Sequence, residues 1–267
     1  MPTHYLELSY VQLAIGSSLI LVCAAISLAL ELGLQNRLLV AAARTIVQLL
    51  LIGLVLKWIF TVGHWYVVLA MMTAMTLIAG GAAVQRTGRR YRGIWLDAVV
   101  SMWASSWLVT AVALLAVVQV RPWYHAQYAI PLLGMILGNT LNGISLGLDR
   151  LGGELASRRD QIDTLLALGA TRWEAAREPV QQAVRTGMIP IINSMMVVGL
   201  VSLPGMMTGQ LLAGVEPVQA VMYQIVIMFL IAAGTSLGTF SVVLLGYRRL
   251  FTADHQFLPG RLVKRVG

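Results

Sequence analysis

The residues that could do chemistry in this chain are few, polar and set in long apolar runs. Arg44 and Gln48 stand four apart, on one face of a helix. A charge in hydrocarbon costs about 2.5 kcal/mol or more, so it should face the protein interior or a water path. Arg44 then reads as part of a translocation pathway, or as a side chain that snorkels to a boundary about seven residues away. Asn139 and Asn142 stand three apart, and Ser145 continues their face. Buried amides need partners, which helix–helix hydrogen bonds or a substrate would supply. Further along come Asn193, Met195, Met196, Met206, Met207 and Gln210. Thioether sulfur binds soft metals, but methionine is also a flexible apolar filler, and 13 are spread along the chain. The histidines, His4, His64, His125 and His255, all fall in loops or ends. A tight all-protein cage for a hard metal is therefore not expected, and no metal-ligand set is assigned.

The elements that must carry these residues are membrane spans. The 267 residues are 58% hydrophobic and 11% charged, against about 25% charged in soluble domains. A span needs about 20 apolar residues. Seven such stretches are read, at roughly 10–32, 38–60, 65–84, 96–118, 128–148, 187–207 and 218–247. The reading is an all-α polytopic membrane protein, one transmembrane domain over 1–267, with no soluble domain and no cleavable signal peptide at the N-terminus. With the N-terminus outside and the C-terminus inside, all of the 19 lysines and arginines except Arg44, Lys57 and Arg121 lie on the inner side, as the positive-inside rule demands. Trp58, Trp65, Tyr66, Trp123, Tyr124 and Tyr128 then sit at the outer interface. The net charge of +8 is thus a topology signal and not a nucleic-acid signal. The single cysteine, Cys23, excludes an internal disulfide and a CxxC site. No internal repeat is visible, so the inverted-repeat pattern of many secondary transporters is missing.

Three local features stand out. The fifth span carries Gly134-x3-Gly138 and Gly143-x3-Gly147, which let a second helix approach closely. Pro204-Gly205 should break the sixth span, and a helix broken at membrane depth is tolerated where it lines a cavity. Between the fifth and sixth spans, residues 149–186 are too charged for the bilayer. There a short helix at 161–168, a turn at Gly169-Ala170 and a second helix from Arg172 are expected, with Thr171 as N-cap and Glu174 completing a capping box. Pro179 and Gly187 are expected to punctuate that second helix. A hairpin of this kind on the positive side is a place for a partner to dock.

The sequence Asp163-x5-Gly169-Ala170 followed by an amphipathic stretch resembles the coupling loop of ABC-transporter permeases, which reads Glu-Ala-Ala and then Gly. Asp163 stands at the Glu position, and Thr164-Leu165 replace the alanines. Together with GNTLNGISLGLDRL upstream and SLPGMMTGQLLAG downstream, the chain from about Val40 to Phe251 resembles the Fet-type permeases. These are iron-export ABC permeases related to plant aluminium-sensitivity half-transporters. The resemblance implies a multi-pass bacterial inner-membrane protein, working as a homodimer with two copies of an ATPase subunit. It implies that Asp163, Leu168, Gly169, Ala170, Thr171, Arg172, Trp173 and Glu174 contact that ATPase. The cargo would be iron or a related metal species, moved outward. The chain has no G-x4-G-K-[ST] and binds no cofactor of its own, so ATP and Mg would be used by the partner. The alternatives are a stand-alone secondary transporter, for which a titratable mid-membrane group is missing, a seven-helix receptor or retinal protein, for which a Schiff-base lysine in the last span is missing, and an ABC-type assembly with a lipid or signalling role.

Overall fold

The computed structural model describes residues 9–264. The fold is all-α, and six helices are long and apolar enough to cross a membrane. The chain divides into two compact units, residues 1–64 with 212–215, and residues 65–211 with 216–267.

The first unit is built on two helices, α1 (Tyr10–Ala29) and α2 (Gln35–Val62). Ser9 and Gln12 form a capping box at the start of α1. The link between the helices is fixed by Ser27, whose hydroxyl accepts from the Leu34 N–H at 3.1 Å and donates to Gln35 Oε1 at 3.4 Å. Ile59 is buried on α2, and most of the other side chains of this helix are exposed.

The second unit holds α3 (Trp65–Gln85), a two-residue strand β1 (Arg89–Arg90), α4 (Ile94–Val112) closed by a π-turn, and α5 (Ala126–Ser157). Then follow α6 (Arg159–Ala167), α7 (Arg172–Val197), α8 (Gly205–Leu212), α9 (Pro217–Leu250) and β2 (Val263–Lys264), which pairs antiparallel with β1. Helix α5 is the centre of the unit and packs on α3, α4, α7 and α9. Its closest crossing is with α7. A Cβ on Gly187 would stand 2.7 Å from the Gly143 carbonyl oxygen and 2.6 Å from Thr239 Cγ2 of α9. A Cβ on Gly143 would stand 2.5 Å from Thr239 Oγ1. Two backbones and the Thr239 side chain of α9 therefore meet where only hydrogen fits, as the Gly143-x3-Gly147 spacing predicts.

Two sequence expectations are corrected. No single long apolar helix covers 187–207. Residues up to Val197 complete α7, a turn follows, and α8 opens at Gly205. The helix therefore ends ahead of Pro204-Gly205. Pro204 instead stands just before the first turn of α8, where its carbonyl accepts from the Thr208 N–H at 3.0 Å and a missing N–H does no harm. Nor do Pro179 and Gly187 interrupt α7, which runs through both and through Pro190. Its buried stripe, Ala175, Pro179, Ala183, Gly187 and Ile191, recurs every four residues. Packing of that stripe outweighs the local penalty of proline.

Gly93 is the N-cap of α4, and Asp97 sits buried in the first turn, where both its oxygens accept from Arg249 Nε of α9 at 2.8 and 2.6 Å. Burial, and then the adjacent Asp97 carboxylate, push the Tyr91 phenol well above the usual tyrosine range.

Gly187→Ala is expected to destabilise the second unit by about 1–3 kcal/mol through overpacking at the α5–α7–α9 crossing. A thermal-unfolding midpoint in detergent that matches the parent chain would show the crossing to be slack.

Candidate functional site

The first candidate site is the hairpin of α6 and α7. Helix α6 ends in a Schellman motif, in which Ala170 N–H donates to Leu165 O and Gly169 N–H to Leu166 O, both at 3.0 Å. Gly169 takes φ +90, which a side chain would strain. Thr171 then caps α7. Its hydroxyl accepts from the Glu174 N–H, and Glu174 Oε2 accepts from the Thr171 N–H at 2.7 Å. The backbone N–H of Thr171, and then its hydroxyl, hold the Glu174 carboxyl below the usual carboxylate range.

The base of the hairpin is clamped by charge. Arg158 Nε meets Glu154 Oε2 of α5 at 2.7 Å, and Arg158 Nη1 meets Glu178 Oε2 of α7 at 2.6 Å. The bond to Glu178 leads in raising the arginine above its ordinary value. At the tip several side chains are exposed. Leu168 is 80% exposed and Trp173 44%, and Asp163 and Glu174 are exposed as well. The tip therefore presents an apolar knob flanked by an indole and two carboxylates.

Sequence reasoning missed what holds this tip from behind. The Arg172 N–H donates to His255 Nδ1 at 2.9 Å, and Arg172 Nη1 donates to the Thr252 carbonyl at 3.0 Å. Trp173 lies edge-on to Tyr247 at 5.6 Å, and Tyr247, Phe251 and Phe257 continue the stack. Arg172 is thus committed inward. The tail is held in turn by the β1–β2 pair and by Arg261, which donates to the Arg249 carbonyl at 2.9 Å. No spacing in the sequence joins residues 83 apart, so only the tail's own aromatic run could have drawn attention to it.

The second candidate site lies at the other end of α7. There the 198–204 turn, α5, α8 and α9 enclose a cavity of about 240 Å³, lined by Met135, Asn139, Ser194, Met206, Gln224 and Met228 among others. Asn139 and Met206 were expected along a pathway, and both line this space. Met207 and Gln210 are half-buried in α8, and Asn193 is exposed on α7. Asn142 lies elsewhere, its Oδ1 accepting from Arg86 Nη1 at 2.8 Å. Arg44 and Gln48 belong to the first unit, exposed on α2. Gln224, Met135 and Met228 were missed, although Met135-x3-Asn139 and Gln224-x3-Met228 place each pair on one helix face. Among the described residues no cluster of three histidine, cysteine or acidic side chains could hold a metal.

An all-helical membrane bundle with an exposed polar hairpin and a cavity at a helix break has the build of a membrane permease. The chain belongs to the family described as Uncharacterised protein family (UPF0014), whose pattern matches residues 10–251. It is 42% identical over 227 residues to the UPF0014 membrane protein slr1647 of Synechocystis, covering 85% of this chain and 88% of that one. It is 32% identical to the Probable iron export permease protein FetB of Escherichia coli, covering 95% and 96%. Protein ALUMINUM SENSITIVE 3 of Arabidopsis thaliana is 28% identical, covering 89% and 85%. No solved structure matches.

Thr171→Ala is expected to cost about 1 kcal/mol through loss of the cap, read as a lower thermal midpoint in detergent. The Glu174 carboxyl is depressed in the fold, so its contribution is present above the ordinary carboxylate range and is lost as pH falls through the depressed value. The gap between Thr171→Ala and the parent chain should therefore be widest near neutral pH and close on acidification. A gap that does not change with pH would deny the capping box that role.

Proposed function

We propose that this chain is the membrane-spanning subunit of an ABC transporter that moves iron or a related metal species outward. Two copies would work with two copies of a separate ATPase in the bacterial inner membrane. The N-terminus is outside, and the α6–α7 hairpin and the tail are inside. The name of the Escherichia coli relative supports the cargo. The observation that carries the reading is the hairpin, stiff at its Schellman turn and cap, with its apolar tip left uncovered.

The mechanism follows from α7. Its 26 residues span about 39 Å at 1.5 Å per residue. One helix therefore runs from the tip an ATPase would grip to the turn that edges the cavity. Closure of the ATPase pair on ATP would displace Leu168 and Trp173. The salt-bridged base and the tail clamp would pass that displacement to α7 as a whole. The upper end of α7 would then shift against α5 and α9 and open the cavity to one side or the other. ATP hydrolysis belongs to the partner, and this chain supplies path and lever. Arg44 is exposed on α2. A charge facing lipid is costly, which supports a second copy.

The test is purification of the tagged chain from its host membrane in mild detergent. A stoichiometric ATPase, stimulated by iron, is expected with the parent chain. Leu168→Asp should lower its recovery at least about tenfold, the equivalent of 1.4 kcal/mol, while the chain stays monodisperse. Gly169→Pro should keep the complex and uncouple hydrolysis from transport. No ATPase with the parent chain would overturn the proposal.

A further inference from the structure

The cavity at the end of α7 carries a more specific reading, which rests on the metal-permease proposal. We infer that it is a cargo site for a low-charge, soft-to-borderline cation, held by methionine sulfur and amide oxygen. Three methionines line it, Met135 on α5, Met206 on α8 and Met228 on α9. These come from three separate helices, so no single helical stripe of core methionines accounts for them. Among them stand two amides. The Asn139 Nδ2 is already spent on the Met135 carbonyl at 2.9 Å, which leaves Asn139 Oδ1 as an acceptor. Gln224 is only 6% exposed, and its Oε1 has no hydrogen-bond partner. An orphaned acceptor at such depth calls for a cation, a donor or an ordered water.

Among the described residues no charged side chain lines the cavity. A phosphate or carboxylate would find no arginine or lysine there, only the start of α8 at Gly205 and Met206, which argues against such a ligand. It also argues against Mg²⁺ and Fe³⁺, because hard cations take carboxylate and water oxygens and gain little from thioether. Sulfur with neutral oxygen suits Cu⁺, Ag⁺ and Fe²⁺ better. The volume of about 240 Å³ has room for an ion with several of its waters, at about 30 Å³ each. A partly hydrated ion on neutral donors is held loosely, as a transported one must be.

The test uses the purified full-length chain in detergent, without the ATPase. Ag⁺ serves as a redox-inert soft probe, titrated by calorimetry in a chloride-free buffer. Cys23 is a free, exposed thiol that would itself bind silver, so every variant carries Cys23→Ser. About one Ag⁺ per chain is expected from this cavity. Anaerobic Fe²⁺ should compete and Mg²⁺ should not. The triple change Met135→Leu, Met206→Leu and Met228→Leu conserves volume and should weaken Ag⁺ binding at least about tenfold. Met206→Leu alone should give a smaller loss in the same direction, which covers the case that the triple variant folds poorly. Silver binding unchanged by these substitutions, or Mg²⁺ competing as well as Fe²⁺, would overturn the inference. Metal binding is read on the isolated chain and ATPase recovery on the complex, so either idea can fail without the other.

Discussion

Everything in the larger unit depends on how closely α5, α7 and α9 can approach. At Gly143 and Gly187 the backbones of α5 and α7 come together, and the Thr239 side chain of α9 packs straight onto both glycines. Helices in lipid gain nothing from hiding apolar surface from one another, so their association rests on van der Waals contact and on whatever polar groups they share. Close approach maximises that contact. It also fixes where α7 lies along α5, and so fixes both ends of α7. One end is the hairpin tip, and the other is the turn that walls the cavity.

The polar groups at the rim of this bundle act as ties between segments distant in sequence. Asp97 and Arg249 join α4 to the end of α9, and Arg158 joins α5 to α7 through Glu154 and Glu178. Glu154 and Asp97 are nearly buried, and removal of one partner from such a pair leaves an uncompensated charge. These ties specify register more than they add stability. They keep the hairpin in a fixed relation to the bundle, which a lever requires.

Much of the fold was legible in the sequence, because spans announce themselves by length and hydropathy. Six of the seven expected stretches correspond to long helices, and the capping box at Thr171 and Glu174 is present as its spacing predicts. What was misread has a common cause. Pro179 and Pro204 were judged by local rules, but α7 is held through Pro179 by its packed stripe and ends before Pro204 is reached. The cavity was half legible. Asn139 and Met206 could be picked out as polar or soft residues near a break. Gln224 and Met228 looked like ordinary members of a long apolar helix, and only the packing of α9 against α5 brings them to the same space. The tail contact was not legible at all, because Arg172 and His255 are joined by tertiary geometry alone.

That tail contact sets an order of events. The hairpin at 159–174 leaves the ribosome well before residues 251–264, which later brace its N-terminal turn. Spans can therefore enter the membrane and pack while the second helix of the hairpin still lacks its rear support. The orientation of the tip seen here therefore depends on residues 252–257 as well as on the hairpin itself. A copy that ended before them would keep the Schellman turn and the cap but lose the braces on Arg172.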